Sequence, residues 1–369
     1  VAGLVVAGLF FIETRPAQAF IQEQVNKMIP GSLSWEQFRL DLRAGRVQIS
    51  GVHLKGVSGK ELAGIPLVTA KVDWSGVTRQ KIELTRILID KPVFDISMSE
   101  QGDIDILSAL VADTGSPADA KASESGQSPG IDFWVREFTV NQAQIKMTAP
   151  QFNTDIPELS VEVTGFKLAD LSASVKVVLA GGHLGFEGID LALDAFDGQA
   201  RIDKDKISDI GIHAGMPGIE FNANGSVAGL LGTVTPDLTA TVEVQAPLAT
   251  KALGLTEDLV RGNGRINLTI KGGIDNPQAK IRFEFGRGTI NKTAISGINV
   301  YAGLEDRHLT FKDCRIDLPA GTIPFGGDVD LSKTFPKGFI NSMAGLDTLA
   351  YTFFLNPDSL ALDGLELGE

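Results

Sequence analysis

The sequence predicts an all-β protein with few short helices. Its strands form an elongated antiparallel sheet, curled so that one dry face lines a trough. Three observations predict it. Apolar residues alternate with polar ones in many separate stretches, the period of a strand with one wet and one dry face. Forty-one glycines fit a chain that turns often. Helical patterns are too few to cover a sheet of that length. A sandwich or closed barrel would let the dry face cover itself. An outer-membrane barrel would ring its lipid face with Tyr and Trp. With only two Tyr and three Trp, that girdle is missing, so the curled sheet is preferred.

At the start of the chain, residues 1–12, "VAGLVVAGLFFI", are uninterrupted apolar sequence. They fall short of the about 20 residues that span a bilayer. They read as the outer end of a transmembrane helix cut at its N-terminus. The rival reading is a signal-peptide core with Ala17-Gln18-Ala19 as cleavage site, which Glu13, Arg15 and Pro16 fit poorly. Residues 13–31 hold an amphipathic helix, Pro16 to Ile29, with Pro at its start and Pro30-Gly31 as its stop. Ile21, Val25, Met28 and Ile29 share one side of it. It serves as a packed helix or as a plug for one end of the sheet.

Residues 32–111 form a β module. Val47 and Ile49 alternate, the pattern shifts at Gly51, and Val52 and Leu54 continue it, which predicts a β-bulge. Ile82 and Leu84 come next, and Asp105 to Val111 reads as a short helix. Residues 112–130, "ADTGSPADAKASESGQSPG", are small and polar without period, a disordered linker. Residues 131–369 repeat the alternation. It runs through Ala143, Ile145 and Met147; Leu159, Val161 and Val163; Val175, Val177 and Leu179; and Ile189, Leu191 and Leu193. It returns at Ile219, Phe221 and Ala223, and at Leu238, Ala240, Val242 and Val244. Gly181-Gly182, Asn224-Gly225 and Gly326-Gly327 read as turns between short strands, and Pro247 to Leu259 as a helix. The clearest hairpin is "GRINLTIKGGIDNPQAKIRFEF". Ile266, Leu268 and Ile270 alternate before an Asp275-Asn276-Pro277 turn, and Ile281, Phe283 and Phe285 after it.

Charge and motifs exclude several functions. A net charge of −13 argues against nucleic acid, which needs a basic footprint, and against a basic patch for anionic lipid. His53, His183, His213 and His308 lie far apart, with no spacing that holds a metal. The single cysteine, Cys314, reads as a small buried side chain. "GVSGKE" at Gly56 to Glu61 lacks the spacing and the hydroxyl of a phosphate loop, and no nucleophile elbow or dinucleotide motif is present. The acidic runs at Asp103 to Ile106 and Asp328 to Leu331 read as wet faces or a helix start. The reading is of a protein that is not an enzyme, with no cofactor and no metal.

The stretch from Ala44 to Leu107 resembles the N-terminal module of the AsmA/TamB superfamily. "GVHLKG", then Gly59 and Leu62, "VTAKVDW", "KIELTRILIDKPVFDI" and "QGDIDIL" keep the family's order. In family members that order comes directly after an inner-membrane helix and a short amphipathic helix, which residues 1–12 and Pro16 to Ile29 would match here. The 264–285 hairpin is similar to the repeated TamB module, and "IDLPAGTIPFGGDVDLS" looks like its continuation. The resemblance covers most of the chain through loose patterns, none of them catalytic. The C-terminal domain typical of TamB is not visible, and the chain reads as a fragment that continues further. The resemblance implies a U-shaped, taco-like hydrophobic β-groove, architecturally related to chorein-type bridge proteins. It implies a single-pass inner-membrane protein whose bulk lies in the periplasm. Its function would be phospholipid transfer between inner and outer membranes, or assembly of outer-membrane proteins with a barrel partner of the assembly type. A filled structural β-repeat remains a third reading. The expected acyl-chain lining is Val47, Ile49, Ile82, Leu84, Ile145, Met147, Val161, Val163, Val175, Val177, Val242, Val244, Ile266, Leu268, Ile270, Ile281, Phe283 and Phe285.

Overall fold

The computed structural model describes residues 14–41, 43–73, 75, 81–99, 103–110, 132–150, 152–167, 170–186, 189–255, 259–332, 334–335 and 350–355. The apolar run 1–12, the linker 112–130 and residues 356–369 lie outside them. Among the described residues no helix is long and apolar enough to cross a membrane. The fold is mostly strand with few short helices, and its pairing is predominantly antiparallel. It divides into two compact units between residues 188 and 189, inside the stretch that the sequence reads as one repeated region.

The first unit opens with helix α1 (Arg15–Met28), which has Pro16 in its first turn as expected. Its strands are β1 (Ser32–Ser34), β2 (Gln37–Asp41), β3 (Arg46–Lys55), β4 (Glu61–Asp73), β5 (Lys81–Asp90), β6 (Val93–Ser97), β7 (Asp132–Thr148), β8 (Phe152–Lys167) and β9 (Ser172–Phe186). Both β1 and β2 pair with β3, and β3 with β4. Next, β5 and β6 occupy one place in the sheet, each antiparallel to β4 and parallel to β7. The parallel step is a departure from a pure meander. Parallel neighbours need a long crossover, and the chain between β6 and β7, with helix α2 (Asp105–Leu110) in it, supplies one. The predicted bulge at Gly51 is not found: Gly51 has φ +59°, but Ser50 and Val52 keep a single register with Leu67 and Ile65, so no residue is inserted, and the one shift between β3 and β4 falls between Leu54 and Lys55.

The second unit is a meander of long strands. They are β10 (Ile189–Asp203), β11 (Lys206–Met216), β12 (Ile219–Ala228), β13 (Thr235–Gln245), β15 (Asn263–Lys271), β16 (Gln278–Phe285), β19 (Gly297–Glu305), β20 (His308–Leu318), β21 (Gly321–Asp330) and β22 (Ala350–Leu355). Each pairs antiparallel with the next. A small sheet of β14 (Val260–Arg261), β17 (Gly288–Ile290) and β18 (Thr293–Ile295) stands apart. The predicted helix from Pro247 is shorter than expected. Helix α3 (Ala246–Ala252) stops at Leu253, and Gly254 then turns at φ +68°.

The three dipeptides read as turns, Gly181-Gly182, Asn224-Gly225 and Gly326-Gly327, lie inside β9, β12 and β21, so the strands are long rather than short. Close approach explains them. A Cβ at Gly225 would stand 2.1 Å from the Asp237 carbonyl oxygen, and one at Gly182 3.2 Å from that of Asp155. At Gly326 and Gly327 the rings of Phe354 and Phe353 fill the side-chain space. Long strands also carry bulges at polar residues with positive φ: Gln142 in β7, Asp209 in β11 and Asp313 in β20. Such bulges bend a strand and raise its twist.

Candidate functional site on the apolar sheet face

Antiparallel register sets directly opposed residues on the same side of a sheet. Tracing partners across strands therefore tests whether the alternations of separate stretches converge. In the first unit Phe38, Ile49, Val68, Ile89, Val140, Val161 and Val177 are successive neighbours. Leu40, Val47, Ala70, Ile87, Phe138, Val163 and Val175 form the next row. Leu84 stands between Val72 and Val135. Ile145 stands between Phe94 and Ile156, and Met147 between Ile96 and Thr154. Ile82 is in register with Phe133, but its side chain lies outside the described ones.

The second unit carries four such rows. One joins Phe196, Ala214, Phe221, Val242, Ile266, Phe283 and Val300. A longer one crosses all ten strands: Gly198, Ile212, Ala223, Ala240, Leu268, Ile281, Ala302, Phe311, Gly327 and Phe353. A third runs from Leu238 through Ile270, Ala279, Leu304, Leu309 and Val329 to Tyr351. The last joins Met216, Ile219, Val244, Gly264, Phe285, Ile298, Ile316 and Ile323. The rows contain no carboxylate, amine, guanidinium or imidazole. All eight lining residues expected in this unit lie in them.

Burial along the rows is intermediate. Of the large side chains in the four rows, only Phe285 is buried. The others are half-buried, and Tyr351 and Phe353 are exposed. Phe285 is the exception for a local reason. Its ring lies against Gly262 and Gly288, where an added Cβ would come within 2.6 and 3.0 Å of its Cζ. In the first unit both full rows are half-buried as well, with buried Val52, Leu54, Val135, Ala143 and Leu179 beside them.

The other face of the second unit is polar. Glu220, Glu243, Arg265 and Glu284 are successive partners, with Arg265 paired to Glu243 and Arg282 to Glu284. His213 Nδ1 lies 2.9 Å from Asn222 Oδ1, and the Arg282 guanidinium sits 5.2 Å over the Tyr301 ring. A concavity of about 840 Å³ is lined by Glu220, Glu243, Arg265 and Glu284 together with Met216, Ile219 and Val244 of the last apolar row. Among the described residues no group of three or more His, Cys, Asp or Glu could hold a metal ion. Cys314 is buried, and its Sγ accepts from the Tyr301 N–H at 3.3 Å.

Alternation alone missed part of the apolar face. Phe38 and Leu40 were too short a run to register, and Phe311 is cut from Cys314 by the Asp313 bulge. Ile298, Val300, Ala302 and Leu304 do alternate, and that signal could have found β19. Comparison with family models, curated proteins and solved structures finds no match to this chain.

Proposed function

We propose that this chain is an inner-membrane-anchored periplasmic protein whose apolar face forms a groove for phospholipid acyl chains travelling between the inner and outer membranes. One observation carries the reading: the apolar rows run unbroken across up to ten strands, yet most of their large side chains are only half-buried. Scale supports it. Ten strands at ~4.8 Å spacing give a path of about 43 Å. Four rows, each two residues apart, cover about 20 Å along the strands. One leaflet of hydrocarbon is about 15 Å deep. The face is thus wide enough for one acyl layer and long enough for several lipids. A filled β-repeat would bury these side chains against a second layer. The resemblance to the AsmA/TamB superfamily points the same way.

Photocrosslinking tests the proposal. A photoreactive residue at Leu268 or Phe283 should capture phospholipid, and one at Asn267 or Arg282, on the polar face, should not. Equal capture at all four positions, or capture at none, would refute the groove and favour the filled repeat.

A further inference from the structure

Gln18, Gln22 and Asn26 stand four residues apart on α1, in one stripe of the helix. Each side chain reaches main chain of the first strands. Gln18 Nε2 donates to the Phe38 carbonyl at 3.3 Å, and Gln22 Nε2 to the Trp35 carbonyl at 3.0 Å. The Leu33 N–H donates to Asn26 Oδ1 at 2.6 Å. Helix numbering rises as strand numbering falls, so α1 lies antiparallel along β1 and β2. Eight helical residues rise about 12 Å, and Leu33 to Phe38 spans about 17 Å of extended chain, so one stripe can track one edge. Ala17 is buried on this side, and Ile21 and Val25 are half-buried.

Strand β3 takes one side of β1 and β2. The groups that α1 engages are main-chain donors and acceptors of the kind an added strand would use. An uncovered edge of this kind templates pairing with another chain. We propose that α1 is an edge guard, and that its amide stripe keeps the β1–β2 edge from adding a strand of a second copy of this chain. A second copy fits because its strands carry the same alternation. Phe38 and Leu40 begin the two apolar rows of the first unit, so an incoming strand of the same period would extend those rows. The same β1–β2 edge of the second copy is one such strand, and edge-to-edge pairing sets the two β1 strands side by side. The guard makes three side-chain bonds where a strand could make a full ladder. It prevails because it is tethered to the same chain, which gives it a high effective concentration.

The test uses the full chain carrying Gln18→Ala, Gln22→Ala and Asn26→Ala together, with Ser34→Cys as a reporter. Ser34 is exposed, and the native Cys314 is buried and silent. The triple variant should lose hydrogen-exchange protection at the Leu33 amide. It should also show a species of twice the mass in sedimentation, which a thiol crosslinker captures through Cys at position 34. The Asn26→Asp variant, which keeps the acceptor, should retain Leu33 protection and stay unpaired. A triple variant that does not associate, or associates without crosslinking at position 34, overturns the proposal. So does loss of its strand circular dichroism, because the amides would then hold the fold rather than guard an edge.

Discussion

Leu268 faces Ala240 on one neighbouring strand and Ile281 on the other, and it is half-buried. A carboxylate in a packed core costs several kcal/mol, through lost packing and desolvation. On a half-open face the charge keeps its water, so Leu268→Asp should cost about 1–2 kcal/mol. Chemical denaturation of the purified chain checks this, and under the proposed function lipid passage through the variant should be severely reduced. Gly225 behaves in the opposite way. Its φ of +148° is one that other residues rarely adopt, and a Cβ there meets main chain that cannot swing aside. The Gly225→Ala variant should lose about 3 kcal/mol, read as a lowered Tm. At Gly232 nothing lies within 4 Å of an added Cβ, so Gly232→Ala should leave the Tm unchanged.

Among the elements, α1 shows how a helix with little apolar surface is held. Its amide stripe binds strand edges, while its outer side carries the Glu23–Lys27 pair at 2.7 Å. The hydrogen bond from Lys27, and then its charge, holds the Glu23 carboxyl below the usual carboxylate range. A lowered folded-state value means that the pair supports the helix above the ordinary carboxylate pKa. That support fades as pH falls through the lowered value. Acid should therefore loosen α1 before the strands respond, seen as faster proteolysis within Arg15–Met28. Glu23→Gln should remove that pH dependence. The strand elements are held differently. Their bulges at Gln142, Asp209 and Asp313 insert a residue, yet the apolar side resumes beyond each one.

For the whole molecule, the apolar run at residues 1–12 next to α1 predicts a tether. Native full-length protein should sediment with membranes and resist high-salt and carbonate washes. Release with a new N-terminus at Phe20 would instead establish the cleaved signal. The class of fold was legible in the residues because a side-chain period of two is a local property, written into each strand's own neighbours. The Ile266–Phe285 hairpin was readable on that ground, and helix α1 from its own 3.6-residue period and its proline start. Tertiary structure alone decided which strands meet, and so whether Phe196 and Val300 belong to one row. It placed β5 and β6 parallel to β7, because register and partner choice depend on contacts distant in sequence. It also put Gly225 and Gly326 inside strands: a glycine that makes room for a neighbouring carbonyl or ring has the same sequence signature as one that turns the chain.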